Sequence, residues 1–226
     1  MSQTPIAIIP ARAGSSGLVK KNTKKLVGVP LYQHAIKQAQ AAGINDILIS
    51  TDDREILDTN QADGVRLIKR PDNLATDATP MIEVLTDLVA HHILDNRLVV
   101  LLQPTSPLRR AGHIQGALDV YTKGAFDIVV SAVEIERSVL KAGLLVGKTY
   151  QPINSSEYTF SNRQSLPPVF KHNGAIYIFS RDWLHANQSF NTDCIGLYKM
   201  SAADSIDIDN AEDFALCQAE IIMRNT

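Results

Sequence analysis

Ahead of Asp46 the chain carries no acidic residue, and five of the six Lys and Arg in that stretch, Arg12, Lys20, Lys21, Lys24 and Lys25, crowd into one short segment beside Gly14, Gly17 and Gly28. Cations and backbone N–H groups gathered in a glycine-containing loop suit a small polyanion such as a phosphate chain. A solvated basic turn is the plainer alternative. The loop reads Ile9-Pro-Ala-Arg-Ala-Gly-Ser-Ser-Gly-Leu-Val-Lys-Lys-Asn22. Gly17 is followed by Leu18 and Val19 rather than by Lys and a hydroxyl residue, which excludes a Walker A loop. A dinucleotide fingerprint is excluded too, because the acidic residue it needs about 20 positions further on is missing.

A second constellation is Asp204-Ser-Ile-Asp-Ile-Asp209. As a strand it would bury Ile206 and Ile208 and set Asp207 and Asp209 together on the opposite face. Two carboxylates so placed repel unless a hard cation such as Mg²⁺, with bound phosphate, neutralises them. Asp209 could instead be the N-cap of the last helix, with Glu212 completing a capping box, a role that leaves Asp207 unexplained. Third, residues 101–109 end an apolar run with Gln103 ahead of Pro104 and with Thr105 and Ser106 between Pro104 and Pro107, and Arg70-Pro71 ends another run. Rigid polar loops after strands are where open α/β sheets hold ligands; Pro-stiffened turns and a surface arginine are the structural alternatives.

The elements that must position these residues follow from periodicity. Apolar runs at residues 6–10, 46–50, 65–69, 98–102, 127–133 and 174–179 read as strands. Helical patterns fall at 31–42, 54–62, 81–94, 111–122 and 211–223, with Gly43 and Gly64 as stops. The alternation predicts an α/β fold with a parallel, doubly wound sheet. Residues 134–170 break it with short alternating pieces, turn residues and Pro167-Pro168, too long for an ordinary loop. That stretch reads as a β-hairpin-type dimerisation arm inserted between 1–133 and 171–226.

Composition narrows the class. With 226 residues, 45% apolar and 20% charged, the chain is an ordinary globular domain. A net charge of −2 argues against a general nucleic-acid binder. Cys194 and Cys217 make no disulfide framework and suit a reducing compartment. Met1 to Ala7 lacks a signal-peptide pattern and no apolar run is long enough to span a bilayer, so a cytoplasmic protein without membrane contact is expected.

Taken together, these stretches resemble the CMP-sialic acid synthetases (acylneuraminate cytidylyltransferases), a group that includes the CMP-legionaminate and CMP-pseudaminate synthetases. The likeness rests on Ile9-Pro-Ala-Arg12 with Gly17 and Lys21-Asn22, Ser50-Thr51-Asp52, Arg70-Pro71, residues 102–109, Asn173-Gly-Ala-Ile-Tyr177 and Ser205-Ile-Asp-Ile-Asp209. It implies a Rossmann-like, three-layer nucleotidyltransferase fold, a homodimer with an exchanged arm, and CTP, Mg²⁺ and an acidic nonulosonate sugar as partners. Arg12, Ser15, Ser16, Lys20, Lys21, Asn22 and Arg70 would serve the nucleotide. Gln103, Asn173, Tyr177 and Phe190 would line the sugar pocket, with Lys141 and Arg163 reaching the sugar carboxylate across the dimer. Arg12, Lys21, Asp207 and Asp209 would be catalytic, the two aspartates holding the metal. Three positions depart from the pattern: Ser16 stands where a lysine is usual, so Lys20 becomes the candidate substitute; Lys171-His172 replaces a common Arg-Pro; and Thr79-Pro80-Met81 replaces small hydroxyl residues. A metal-dependent glycosyltransferase and a non-catalytic nucleotide-binding module are the rival readings.

Overall fold

The computed structural model describes residues 4–14 and 17–224. Its elements run β1 (Ile6–Pro10), β2 (Lys25–Leu26), β3 (Val29–Pro30), α1 (Leu31–Ala41), β4 (Asp46–Thr51), α2 (Arg54–Leu57), β5 (Val65–Lys69), α3 (Met81–His91), β6 (Leu98–Leu101), α4 (Ala111–Lys123), β7 (Ile128–Ile135), β8 (Gly143–Val146), β9 (Thr149–Pro152), α5 (Ser156–Thr159), β10 (Val169–Ser180), α6 (Arg181–Asn187), β11 (Ile195–Met200) and α7 (Ala211–Arg224). Seven strands form one sheet in the order β11-β7-β10-β6-β1-β4-β5. All its pairings are parallel except those of β10, which runs antiparallel to both neighbours.

The all-apolar strand β1 explains the layering. Ala7 and Ile9 face one way, into a core with Tyr32, Ala35 and Ile36 of α1 and Ile114 and Ala117 of α4. Ile6 and Ile8 face the other, onto Val84, Leu85 and Leu88 of α3 and Leu184 of α6. A strand buried on both faces has no polar side to alternate, which is why it reads as a continuous apolar run. A smaller cluster of Leu18, Leu26, Leu31, Leu108, Ile208, Phe214 and Cys217 pins α7 to the loops at the carboxyl edge of the sheet.

Several expectations give way. The helix expected over 54–62 is a single turn, capped by Asp53 and closed when the Thr59 hydroxyl donates to the Ile56 carbonyl. Hydroxyl and amide side chains that compete for backbone groups disfavour propagation there. The expected helix over 81–94 ends at His91. Residues 205–209 pair with no strand; their backbone bond to the neighbouring loop runs from Ile208 N–H to the Thr105 carbonyl, 2.8 Å, and the side chains of Lys21 and Asn173 hold them elsewhere. Within the irregular stretch, β8 and β9 form an antiparallel hairpin, while Glu134, Ile135, Val169 and Phe170 belong to the main sheet, paired between β7 and β10.

Candidate active site

The carboxyl ends of β6, β1, β4 and β5 lie side by side, so the loops that follow them share one edge of the sheet. Because β10 is antiparallel, the beginning of its core half, Tyr177 opposite Leu101, reaches the same edge. A pocket there is lined by Arg12 and Gly14 after β1, Lys21 and Asn22 further along that loop, Arg70 after β5, Met81 of α3, and Gln103, Pro104 and Thr105 after β6.

The cations are held differently. Arg12 pairs with Asp77, a mostly exposed carboxylate. Lys21 donates to the Ile208 carbonyl at 2.7 Å and to Asp209 Oδ1 at 3.3 Å, which ties the basic loop to the aspartate segment. Asn22 donates to the Arg12 carbonyl at 2.9 Å and so shapes the loop from within. Arg70 is buried rather than a surface arginine; its guanidinium donates to Ser50 Oγ at 3.1 Å and to the Ser50 carbonyl at 3.0 Å. Burial lowers its pKa from the ordinary arginine value, opposed by Asp52. Lys20 does not line the pocket: it pairs with Glu55, which raises its pKa through that hydrogen bond and charge. Ser15 and Ser16 lie outside the described residues.

Gly17 brings the two constellations together. A Cβ on it would collide with the Asp209 carbonyl, so only glycine allows the basic loop this close to the aspartates. Asp209 itself is exposed and pairs with Lys21. It is not the cap of α7: Asn210 Oδ1 accepts from Glu212 N–H and Asp213 N–H at 2.8 and 3.0 Å, while Asp213 Oδ2 accepts from Asn210 N–H at 3.1 Å. That reciprocal pair is the capping box, one residue later than expected. Asp207 is half-buried; burial pushes its carboxyl pKa up and the neighbouring Asp209 adds to the shift. Its Oδ1 and the Thr105 hydroxyl of the adjoining loop are both buried without a well-formed hydrogen bond, and the Thr105 side chain, close enough to interact, opposes the upward shift.

A buried carboxylate oxygen met by no more than a neighbouring hydroxyl suits a cation. Among the described residues no group of three or more His, Cys, Asp or Glu gathers as a cation cage. Two carboxylates are nevertheless the protein share typical for Mg²⁺, which otherwise keeps water and phosphate oxygens. The residues present therefore fit the ion.

Beyond the aspartates, Gly174 at φ 74° faces both Gln103 Oε1 and Asp207 Oδ2, which lie 3.9 and 4.0 Å from where its Cβ would be. Tyr177 stacks on Phe190 at 6.1 Å, and Phe190 stacks on Trp183 at 6.4 Å. Burial raises the pKa of the Tyr177 hydroxyl, with Asp207 adding to it. Asn173 engages both ends of its amide inside the fold. Lys141 and Arg163 lie away from this pocket, on the segment between β7 and β10; Arg163 pairs with Glu136 and lines a separate cavity with Glu134 and Arg137.

Two contributors were visible in the sequence only as members of the 101–109 stretch, without a role assigned to either. Thr105 stood out only as one polar residue of a rigid loop. Arg109 is wholly buried, with burial pulling its pKa down to about 9. Its Nη1 donates to the Gln103 and Ala175 carbonyls at 3.2 and 2.5 Å, and its Nη2 to Gln38 Oε1 at 2.7 Å. One guanidinium thereby ties the loop after β6 to β10, a bracing role that its place at the end of the 101–109 stretch did not disclose.

A mostly parallel α/β sheet with a basic glycine loop and a carboxylate pair at one edge defines a nucleotidyltransferase-type domain. Comparison with known proteins gives the particular branch. Residues 6–222 match the family model described as Cytidylyltransferase, and the chain belongs to that family. It is 35% identical over 213 residues, 93% of this chain and 51% of the other, to N-acylneuraminate cytidylyltransferase of Streptococcus agalactiae serotype III (strain NEM316); the chain thus spans about half the length of that relative. It is 33% identical to the CMP-N,N'-diacetyllegionaminic acid synthase of Legionella pneumophila subsp. pneumophila, covering 94% of each chain. In fold it is similar to a CMP:2-keto-3-deoxy-manno-octonic acid synthetase structure complexed with CTP, with a TM-score of 0.71 at 20% identity over 99% of both chains.

Proposed function

We propose that the chain transfers the cytidylyl group of CTP to the anomeric hydroxyl of an acidic nine-carbon sugar, an N-acylneuraminate or close relative, releasing pyrophosphate. The observation that carries this reading is the convergence of Arg12, Lys21 and Arg70 with the Asp207 carboxylate at one sheet edge, in a member of the cytidylyltransferase family. As the new P–O bond forms at the α-phosphorus, the bond to the pyrophosphate breaks, so the site must hold two charged substrates in line and absorb charge.

Arg12 is suited to meet phosphate because its partner Asp77 is mostly exposed, and a pair in that setting holds it by only about 0–1 kcal/mol. Lys21, fixed from behind by the Ile208 carbonyl, offers its remaining donors to the triphosphate. Arg70 is locked in orientation by Ser50 and contributes a fixed charge. Asp207 and Asp209 would hold Mg²⁺, which when bound supplies neutralisation of the phosphate charge. Gln103, Tyr177 and Phe190 would receive the sugar, and Asn173, saturated internally, would position rather than touch it. Lys141 and Arg163, carried on the arm, would meet the sugar carboxylate in the site of a second copy, which makes the working unit a homodimer. The expected compartment is the cytoplasm. Among the described residues no helix is long and apolar enough to cross a membrane.

N,N'-diacetyllegionaminate is the second sugar to weigh, since the Legionella relative matches this chain nearly end to end. The test is pyrophosphate release from CTP with Mg²⁺ and, in turn, N-acetylneuraminate, legionaminate and pseudaminate. Turnover with CTP and one of them is expected. Comparable rates with UTP or ATP would remove the cytidine assignment, and CTP binding without turnover would leave a nucleotide-binding module. A glycosyltransferase would instead consume a sugar nucleotide without releasing pyrophosphate.

A further inference from the structure

Between His172 and Tyr177 the ladder joining β10 to β7 slips. His172 faces Ala132 and Tyr177 faces Val130, so Ser131 alone stands opposite the looped residues 173–176. Bulges of this kind re-aim side chains and terminate pairing beside functional sites. This one is filled by a closed polar network. The buried Ser131 hydroxyl donates to Asn173 Oδ1 at 2.6 Å and accepts from Ile176 N–H at 2.8 Å. Asn173 Oδ1 also accepts from Ala175 N–H at 3.2 Å. On its other end, Asn173 Nδ2 donates to Ser205 Oγ at 2.8 Å and lies 3.4 Å from Met200 Sδ, and the Ser205 hydroxyl donates to the Ser201 carbonyl at 2.7 Å.

The two ends of this network lie next to the two halves of the site. Asn173 immediately precedes Gly174, which faces Gln103 and Asp207. Ser205 begins the irregular segment that carries Asp207 and has no strand partner to fix it. We infer that Asn173, with Ser131 and Ser205, is a positioning joint: it sets the Asp207 carboxylate against the β10 bulge, and so fixes the cation site relative to the sugar wall, without contacting either substrate. A fully satisfied polar network inside a fold imposes one arrangement, whereas a half-satisfied one does not. The inference rests on the proposed metal role of Asp207.

Partners that orient metal-binding side chains change metal affinity or activity by about 10–100-fold when removed. The probe is Mn²⁺ bound to the whole protein without sugar, followed by water-proton relaxation, together with steady-state kinetics and thermal melts. Ser205→Ala and Asn173→Asp are each expected to weaken Mn²⁺ binding about 10-fold and to lower kcat, with the KM for CTP changed little. Combining them should add little beyond the larger single effect, because both break the same link. Unchanged Mn²⁺ affinity in Ser205→Ala overturns the joint. So does a raised sugar KM with unchanged Mn²⁺ binding in Asn173→Asp, which would make Asn173 a direct sugar contact. Should Asn173→Asp fail to fold, Ser205→Ala, which removes one hydroxyl, decides alone. Asp207→Asn separates the two levels: if it leaves Mn²⁺ binding intact, the metal assignment itself falls; if it abolishes binding while Ser205→Ala does not alter it, only the joint does.

Discussion

Single atoms decide what the neighbouring aspartates do. Asp207 Oδ1 is buried with no well-formed hydrogen bond, and Asp209 is left free of the helix because Asn210 takes the cap. The capping and cation roles, both open to Asp209 in the sequence, therefore fall on different residues and can be tested apart. Asn210→Ala should cost about 1 kcal/mol of stability through the lost cap, with activity largely kept. Asp207→Asn should cut turnover steeply while stability holds or rises slightly, since a half-buried carboxylate beside a like charge is relieved. Thermal melts alongside kcat against Mg²⁺ concentration check both; full activity in Asp207→Asn with unshifted Mg²⁺ dependence would remove the cation site. Arg109 acts at the same scale without touching substrate. Arg109→Met would strand the carbonyls of Gln103 and Ala175, and an unsatisfied buried acceptor costs about 1–3 kcal/mol. Denaturant unfolding should show a loss of at least that size, and a loss of well under 1 kcal/mol would mean that the guanidinium is not what ties the loop after β6 to β10.

Among the elements, a carboxylate clamp holds α7 in place. Asp204, buried just ahead of the aspartate segment, accepts from Arg110 at the start of α4 and from Arg224 at the end of α7, both at 2.8 Å, and from Ser201 at 2.6 Å. Burial alone would raise its pKa, but the Ser201 hydroxyl, Arg224, Arg110 and His113 together hold it below the ordinary value. A depressed carboxyl contributes stability that is present above its unfolded pKa, about 3.9, and is lost as pH falls through the lower folded value. Stability should therefore decline below about pH 4, and Asp204→Asn should flatten that decline while costing about 2 kcal/mol near neutrality. Urea unfolding at a series of pH values measures both, and an unchanged acid limb would count against the clamp. The same scale explains what the sequence could and could not disclose. β1, β4 and β6 were legible because burial on both faces leaves an uninterrupted apolar run. Residues 205–209 have the alternation of a strand, yet they pair with none, and alternation does not encode a partner. The capping box slid by one residue because Asn210 and Asp213 carry the same chemistry as Asp209 and Glu212. Arg12, Lys21, Arg70, Gln103 and Asp207 were legible by type and flanking pattern, whereas the joint through Ser131, Asn173 and Ser205 depends on a register slip that no single segment displays.

For the molecule as a whole, the segment between β7 and β10 carries a succession of large apolar side chains that the chain itself leaves exposed. Leu144, Leu145, Val146, Tyr150, Ile153 and Phe160 are all at least half exposed, with Leu145 at 80% and Phe160 at 92%. Isolated exposed apolar residues are ordinary, but a succession of them along one hairpin and its continuation is the pattern of an interface. Lys141 and Arg163 flank that hairpin and lie away from the pocket of their own chain, which is the placement expected if they serve another copy's site. Assembly and catalysis would then fail together. The hairpin can be removed cleanly, because Ile153 N–H donates to the Ala142 carbonyl at 3.1 Å and the two ends already meet. A chain lacking residues 143–152 should keep its main sheet and its CTP binding, run as a monomer by light scattering, and turn over sugar poorly. Lys141→Ala and Arg163→Ala in the intact chain should raise the sugar KM while leaving the assembly a dimer. Mixing Arg163→Ala with Asp207→Asn should restore part of the activity, since one mixed-dimer site would receive an intact arm and an intact carboxylate. A fully active dimer without the hairpin, or the absence of any complementation between the two variants, would show that the arm does not serve a second subunit.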